Sequence, residues 1–570
     1  MHSDRASTLP TRNAIERVLR DVPVPTRDGI VLATDVYLPR TELAAKPAAK
    51  PVILIRTPYG KTDPTEQALP LAKWLAANGF AVAVQDLRGT GNSTGTFKAY
   101  SSIEGPDGYD TLDWLVAQPW CNGRIGTVGC SYHGEVQDML AALRHPNHSA
   151  AFIEGAYTFN DGTMRAFSFV RNGAVELAYA VGGDGALLGT LPLGGIRAKL
   201  PCERASYYAK RWPDMVHAWL TRDSMDDYWS DDGGLGEDER FDVPAIHMNE
   251  WYSVPFSSIR MFELYRTRGV SERARAHQYL IMSPVTHCRT SVATEQTRVG
   301  ERDLGDARFD YFGTMLRWFD YWLADIDTGI ASLPKVQAYL MGRNTWQSFD
   351  SWPPPGTQYR DYFLGAGGML GEQRAATASV DSFIYDPANP APSCGGPVNG
   401  GLVFQPGAFD QRSVEQRDDV LVYSTPVLEH AVQVSGRVEA VLYVSSSACD
   451  TDFTAKLVDV YPDGRAFNVL EGILRMRYRR SLSQPSTMHP GEVYEIKLDL
   501  DSTSNWFAPG HRIRLEVSSS NFPRFDRNLN TGVSGAWSAE SVTAHNQVHV
   551  GGACPSRLIL PVVPDAGASS

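Results

Sequence analysis

Cysteine is scarce: seven residues in a chain of 570. They stand at Cys121, Cys130, Cys202, Cys288, Cys394, Cys449 and Cys554, an odd number with no CxxC pair. Such scatter argues against a disulfide framework or a zinc site and fits a reducing cytoplasm. Nowhere do about 18 apolar residues run together, so no membrane span is expected. The opening Met-His-Ser-Asp-Arg-Ala-Ser carries no apolar stretch of the kind a secretory signal needs. Basic runs are also missing. Lys and Arg total 53 against 65 Asp and Glu, a formal net charge of −12, which argues against nucleic acid as a partner. What is present is apolar: 43% hydrophobic, 10% aromatic and 21% charged residues exclude a disordered or collagen-like chain. At about 150 residues per domain, the length allows two to four domains.

The first half alternates strand and helix signals. Pro51–Arg56 (PVILIR), Ala81–Gln85 (AVAVQ) and Ile125–Gly129 read as buried strands, and Ala151–Glu154, Pro244–Met248 and Tyr279–Met282 as further ones. Between them, Leu71, Trp74 and Leu75, and then Tyr109, Leu112 and Leu115, recur at helical spacing. Strands separated by helices predict an α/β domain with a mostly parallel sheet. Residues 155–240 break the rhythm with a glycine-rich piece (Gly182, Gly183, Gly185, Gly189, Gly194, Gly195) and aromatic, helix-compatible sequence. They read as an inserted lid, and no GxxxxGK[ST] phosphate loop is present. Phe312, Met315, Leu316, Phe319 and Trp322 form an amphipathic helix, followed by a boundary at Trp352-Pro353-Pro354-Pro355-Gly356. Beyond about residue 360 the pattern alternates. Tyr494, Ile496, Leu498 and Leu500, and Ile513, Leu515 and Val517, are interleaved with polar residues. That predicts an antiparallel all-β domain of jelly-roll type. The expected organisation is an α/β-hydrolase core over 1–147 and 241–352, a helical cap over 148–240 and a jelly-roll β-sandwich over 353–570.

The sharpest motif is Gly129-Cys130-Ser131-Tyr132-His133-Gly134, a strand running into a Gly-x-Ser-x-x-Gly turn and a helix-compatible stretch. This is close to a nucleophile elbow, with the last glycine one place late. A serine on so sharp a turn sits in a strained backbone, and its neighbours must be small. The helix N-terminus beneath it favours developing negative charge.

Further landmarks are Thr57-Pro58-Tyr59-Gly60-Lys61, the run Gln85 to Gly95, Asp107-Gly108-Tyr109-Asp110 and Gln118 to Gly126. Late in the chain come Thr451 to Leu457 and Ser519 to Arg524. Together with the elbow, and over nearly the whole chain, they resemble the cocaine esterase-type (CocE/NonD) branch of the Xaa-Pro dipeptidyl peptidase-like α/β-hydrolases. The resemblance implies Ser131 as nucleophile, and the Tyr59 hydroxyl with the Tyr132 backbone N–H as oxyanion donors. It implies His287, in Ser283-Pro284-Val285-Thr286-His287, as general base. Two preorganised oxyanion donors are worth roughly 3 kcal/mol each.

The family's acid closes a Gly-Trp-Tyr-Asp motif, but the corresponding segment here is Glu250-Trp251-Tyr252-Ser253. A serine hydroxyl can orient an imidazole but does not stabilise its protonated form as a carboxylate does. Replacing the triad Asp by Asn in a serine protease lowers kcat by about 10⁴. Glu250, three residues earlier, is the candidate replacement. Other departures gather at the same place: His133 and Glu135 at the elbow, Val285 for the family's Trp, and Cys288 after the base. With Trp251, Tyr252 and Ser253, His133 and Glu135 are candidate pocket residues.

Weaker candidates are read as structural. His145 and His148 lack a carboxylate set for zinc. Asp223, Asp226, Asp227, Asp231 and Asp232 read as a solvated loop, with recognition of a substrate ammonium group, as the resemblance to amino-ester hydrolases implies, the alternative; Glu237-Asp238-Glu239-Arg240 reads as a solvated linker. Asp450, Asp452 and Asp459 read as turn and sheet residues rather than a calcium site. The expected activity is hydrolysis of an ester or amide of a small molecule, without metal or organic cofactor and without a membrane or nucleic-acid partner; exposed strand edges make a homodimer conceivable. The rival reading, motivated by Ser253, is a repurposed fold running acyl transfer, cyclisation or carbon–carbon bond formation. A third, a binding protein without catalysis, is opposed by the presence of Ser131, His287 and Tyr59.

Overall fold

A computed structural model of the chain describes residues 11–12, 15–40, 49–159, 213–230, 234–253, 255–397, 405–522, 524–534, 537–538 and 540–564. The amino-terminal part is built on a ten-stranded mixed sheet. Its strands are β1 (Ile15–Pro25), β2 (Val31–Pro39), β3 (Lys50–Thr57), β4 (Ala81–Asp86), β5 (Cys121–Cys130), β6 (His148–Glu154), β7 (Ala245–Tyr252), β8 (Gln278–Thr286), β9 (Val336–Leu340) and β10 (Thr345–Phe349). The order is β1-β2-β4-β3-β5-β6-β7-β8-β9-β10. From β4 through β9 neighbours run parallel, while β1, β2 and β10 add antiparallel edges. The six strands read from apolar runs are all present. β4, β6 and β7 are buried at every position, as parallel strands covered on both faces must be.

Helices α1 (Ala68–Ala77), α2 (Glu104–Val116), α3 (Tyr132–Ala142), α4 (Pro213–Thr221), α5 (Asp227–Ser230), α6 (Pro255–Arg268) and α7 (Tyr311–Ala324) accompany the sheet. α7 buries Met315, Trp318, Phe319 and Leu323 against Val82, Val128 and Phe152. Its N-cap is Asp310, whose side chain accepts from Gly313 N. Gly126 lets this helix close on the sheet, since a Cβ there would stand 2.7 Å from the Phe319 ring. The glycine-rich piece of the expected lid lies outside the described residues; α4 and α5 are the described part of that region.

The carboxy-terminal part is an eleven-stranded β domain, paired antiparallel except at Met369 and Ser424. Strand Tyr494–Phe507 begins with the buried-exposed alternation that the sequence carries. The two parts share one core. Trp251 and Tyr252 of β7 and Phe262 of α6 join Val434, Phe467 and Leu500 of the β domain in a single apolar cluster. The Tyr252 hydroxyl donates to Asn468 O at 3.1 Å, and Trp251 Nε1 donates to Tyr339 O at 2.8 Å. Buried ion pairs sit at the same junction and within the β domain: Arg302 with Asp459, Arg475 with Asp452 and Arg477 with Asp450. Among the described residues no helix is long and apolar enough to cross a membrane.

Candidate active site

In an open parallel sheet, ligands bind beyond the carboxyl ends of the strands. Here β3 leads to Tyr59, β5 to Ser131, β6 to Gly155 and Tyr157, β7 to Ser253 and β8 to His287. The elbow is formed as its glycines require. Ser131 has φ +61° and ψ −129°, a strained backbone for a residue with a side chain. Its N–H donates to Glu154 O at 2.9 Å, and its carbonyl accepts from Gly134 N and Glu135 N at 2.7 and 3.0 Å, starting α3. A Cβ on Gly129 would stand 2.3 Å from His133 Cβ, and one on Gly134 would stand 2.9 Å from Glu154 O. The late glycine therefore serves the close approach of α3 to the end of β6.

The Tyr59 hydroxyl is hydrogen-bonded to Ser131. Burial, reinforced by the charge of Glu135, pushes this phenol well above the ordinary tyrosine pKa, so it stays a neutral donor. The Tyr132 N–H lies in the first turn of α3, where no preceding helical carbonyl can take it. The Tyr132 side chain points elsewhere: its hydroxyl donates to Glu104 and accepts from Tyr100 N at 2.7 Å. His133 shares Nδ1 with Cys130 O at 3.0 Å, and its ring lies 5.3 Å from that of Tyr59. Burial lowers its pKa to about 4, so the ring is neutral near pH 7, and its buried Nε2 has no partner among the described residues. Glu135 is buried in the same turn.

His287 Nδ1 meets two hydroxyls, Ser253 Oγ at 3.0 Å and Tyr157 Oη at 2.9 Å. These two are bonded to each other at 2.8 Å, and the Tyr157 ring stacks on the imidazole with centroids 5.4 Å apart. Gly155, at φ +57°, supplies the seat: a Cβ there would stand 2.9 Å from His287 Cε1 and 3.0 Å from Cys130 Sγ. A cavity of about 800 Å³ opens beside His287 and Cys288, lined also by Arg289, Thr294 and Arg298.

Three expectations are corrected. Glu250 does not take the triad acid's place beside His287. Its carboxyl accepts from Thr290 Oγ1 at 3.1 Å and from the Cys288 N–H, and it faces Glu154. Burial and the neighbouring Glu154 push its pKa well above the ordinary carboxylate range, and its bonds to Thr290 and the Cys288 N–H make it a strut under the loop after β8. Glu154 completes the pair and accepts from the Tyr311 hydroxyl at 2.8 Å. Glu250 is the sixth residue of β7, and its carboxyl is engaged with Thr290 and Glu154 instead of His287. Trp251 and Tyr252 do not line the pocket, because both side chains are committed to the junction with the β domain. Finally, cysteine scatter did not preclude a disulfide: Cys130 and Cys288, separated by 158 residues, are bonded. With that bond, the cysteines no longer point to a reducing compartment.

The weaker candidates have structural partners. His145 pairs with Asp113, and His148 with Thr127 at 2.9 Å. Asp223 faces Arg477, Asp226 pairs with Arg222, and Asp459 meets His511 as well as Arg302. Asp231 and Asp232 lie outside the described residues. Sequence reasoning missed Tyr157, which carries no motif and lies where the lid was expected to begin. It also missed the disulfide, although its two cysteines flank the residues matched to nucleophile and base.

Two family models match. Residues 28–289 match the X-Pro dipeptidyl-peptidase (S15 family), and residues 328–559 the X-Pro dipeptidyl-peptidase C-terminal non-catalytic domain. The chain is 35% identical to cocaine esterase of Rhodococcus sp. (strain MB1 Bresler), over 96% of this chain and 98% of that protein. Among solved structures it resembles an α-amino acid ester hydrolase, with 25% identity, a TM-score of 0.75, and 97% and 98% of the two chains covered. An aminopeptidase from a marine sediment Thaumarchaeota archaeon shares the fold, at 23% identity and TM-score 0.81 over 98% and 99% of the chains. The chain therefore belongs to the family of α/β-hydrolase-fold serine hydrolases that joins cocaine esterase to the S15 X-Pro dipeptidyl-peptidases.

Proposed function

We propose that the protein hydrolyses an ester or amide of a small molecule, with Ser131 as nucleophile and His287 as base. The triad's third member is a pair of hydroxyls, Ser253 and Tyr157. The observation that carries this reading is the bond from both hydroxyls to His287 Nδ1. With Nδ1–H donated to these oxygens, the lone pair is left on Nε2, the nitrogen that must take the serine proton. Ser131 Oγ then attacks the carbonyl carbon, and the proton passes to Nε2. The Tyr59 hydroxyl and the Tyr132 N–H stabilise the oxyanion. Collapse expels the leaving group with the proton returned from His287, and a water repeats the sequence to free the acid.

Cocaine esterase and the α-amino acid ester hydrolase both act on esters by name, which favours an ester over a peptide. His133 and Glu135 occupy the elbow's first helical turn and are proposed to shape specificity there. Residues 148–154 belong to the core sheet as β6, so the expected cap of 148–240 is proposed only for the part beyond that strand, and residues 353–570 are proposed as a jelly roll that walls one side of the site. A second reading rests on the same Ser253: without a carboxylate at Nδ1, the site is also suited to acyl transfer, cyclisation or carbon–carbon bond formation using His287 as acid or base.

A fluorophosphonate probe combined with p-nitrophenyl ester turnover tests the assignment. Labelling and turnover should both vanish in Ser131→Ala. Turnover that survives in Ser131→Ala would refute Ser131 as nucleophile, and an unlabelled wild type would favour the second reading.

A further inference from the structure

We propose that the Cys130–Cys288 disulfide is the positioning element that ties the His287 loop to the Ser131 elbow, in place of the restraint a triad carboxylate would give, and that thiol reduction switches the hydrolase down. The inference rests on the hydrolase reading above and adds a control to the same site.

The bond is placed at the one point where it acts on both groups. Cys130 is the residue before Ser131, and Cys288 is the residue after His287. Their Cα atoms are 5.9 Å apart, within the ordinary range for a disulfide. A ring nitrogen of His287 and both sulfurs lie within 4.8 Å of one another. Gly155 provides one seat for the imidazole and for Cys130 Sγ, with no room there for even a methyl group. Cys288 itself adopts φ +58°, a left-handed conformation for a residue with a side chain. The anchor at Nδ1 is made of neutral hydroxyls, and hydrogen bonds to an ionised partner are roughly twice as strong. The imidazole is thus held weakly by charge and firmly by a covalent link one residue away.

Opening the bond disturbs this seat. Two sulfurs at bonding distance must part to non-bonded contact, a displacement of more than 1 Å, in a space the ring already fills. A misplacement of about 1 Å at a reacting pair costs on the order of a hundredfold in rate. The bond is also reachable, since Cys288 and His287 line the cavity of about 800 Å³. The reaction is an exchange with a dithiol. One dithiol sulfur, as thiolate, attacks a protein sulfur and forms a mixed disulfide. The second then closes the reagent into a cyclic disulfide, and the protein gains two electrons and two protons as two thiols.

The test uses the full chain in oxidised form, treated with dithiothreitol and then reoxidised, with thiols counted at each stage. Turnover of a p-nitrophenyl ester, rate of fluorophosphonate labelling and thermal melting are followed together. Reduction should lower kcat and the labelling rate ten- to a hundredfold with little change in KM and an intact fold, and reoxidation should restore both. The double variant Cys130→Ala/Cys288→Ala should behave as the reduced protein and be insensitive to dithiothreitol. Ser253→Asp should shrink the loss on reduction, because a carboxylate then restores the hold on the ring. A purely stabilising disulfide would not respond to that substitution. Redox-insensitive turnover overturns the proposal while leaving the hydrolase reading intact. Loss of activity only in step with loss of fold, in both the reduced protein and the double variant, overturns it too. Oxidised protein without Ser131-dependent labelling overturns both.

Discussion

The substitution Ser253→Asp puts a carboxylate where the family has one. Ser253 is fully buried, with Oγ 3.0 Å from His287 Nδ1. An aspartate oxygen at that point faces the imidazolium that forms as Ser131 attacks. Opposite charges about 4 Å apart attract by about 4 kcal/mol at an effective dielectric of 20. Against this stands the desolvation of a carboxylate in a buried position, relieved in part by Tyr157, whose hydroxyl already lies 2.8 Å from the Ser253 oxygen. A net gain of about 1.4 to 2.8 kcal/mol is expected, a ten- to hundredfold rise in kcat for p-nitrophenyl esters. The upper end stays below the factor of about 10⁴ that separates Asp from Asn in a serine protease triad. The acid limb of the rate profile should also move to higher pH, because the new charge favours protonated His287. Stopped-flow or steady-state turnover across pH decides it, with fluorophosphonate labelling to confirm the site. A folded, labelled Ser253→Asp with kcat unchanged or reduced would show that the missing carboxylate is not what limits this enzyme.

Tyr157→Phe removes one of the two hydroxyls at Nδ1 and leaves the stacked ring; the loss of one hydrogen bond, about 1 kcal/mol, should lower kcat roughly fivefold. Gly155→Ala drives a methyl group into the imidazole's seat at a left-handed backbone position, so turnover should fall more than a hundredfold, with melting and labelling read alongside to separate displacement from unfolding. Asp138 is buried with its pKa raised from 3.8 to about 7. The native state therefore holds a proton that the unfolded chain has lost, and stability should fall between about pH 4 and 7 by up to about 1.4 kcal/mol per unit. Below that window the penalty is absent and above it complete. Asp138→Asn should flatten this slope in urea unfolding at several pH values, and an unchanged slope would refute the assignment.

Much of the architecture was legible because buried parallel strands are written as unbroken apolar runs. Ala81–Asp86 and His148–Glu154 need only their own residues to be recognised. The antiparallel strands Ile15–Pro25 and Val31–Pro39 were not read, since charged residues interrupt the apolar run in the first and the buried Thr34 and Asp35 interrupt it in the second. Ser131, Tyr59 and His287 stood out because each sits in a local motif at a strand end. The groups that hold His287 were less visible. Tyr157 becomes a neighbour only through the parallel pairing of β6 with β7, and Cys130 meets Cys288 only because three intervening strand crossings return the chain to one edge of the cleft. Glu250 failed for a related reason. Distance along a strand says nothing about which way a side chain leaves it, because successive side chains point to opposite faces of the sheet.

The phenol of Tyr252 bolts the tail of β7 to the carboxy-terminal domain immediately before Ser253, and the Trp251 indole, fastened to Tyr339 of the same sheet, packs into the same shared core. Severing the halves would bare two large aromatic faces and unfasten the strand whose next residue steadies the imidazole. The region called non-catalytic in the family's naming is thus a buttress, and neither half is expected to work as a separate module.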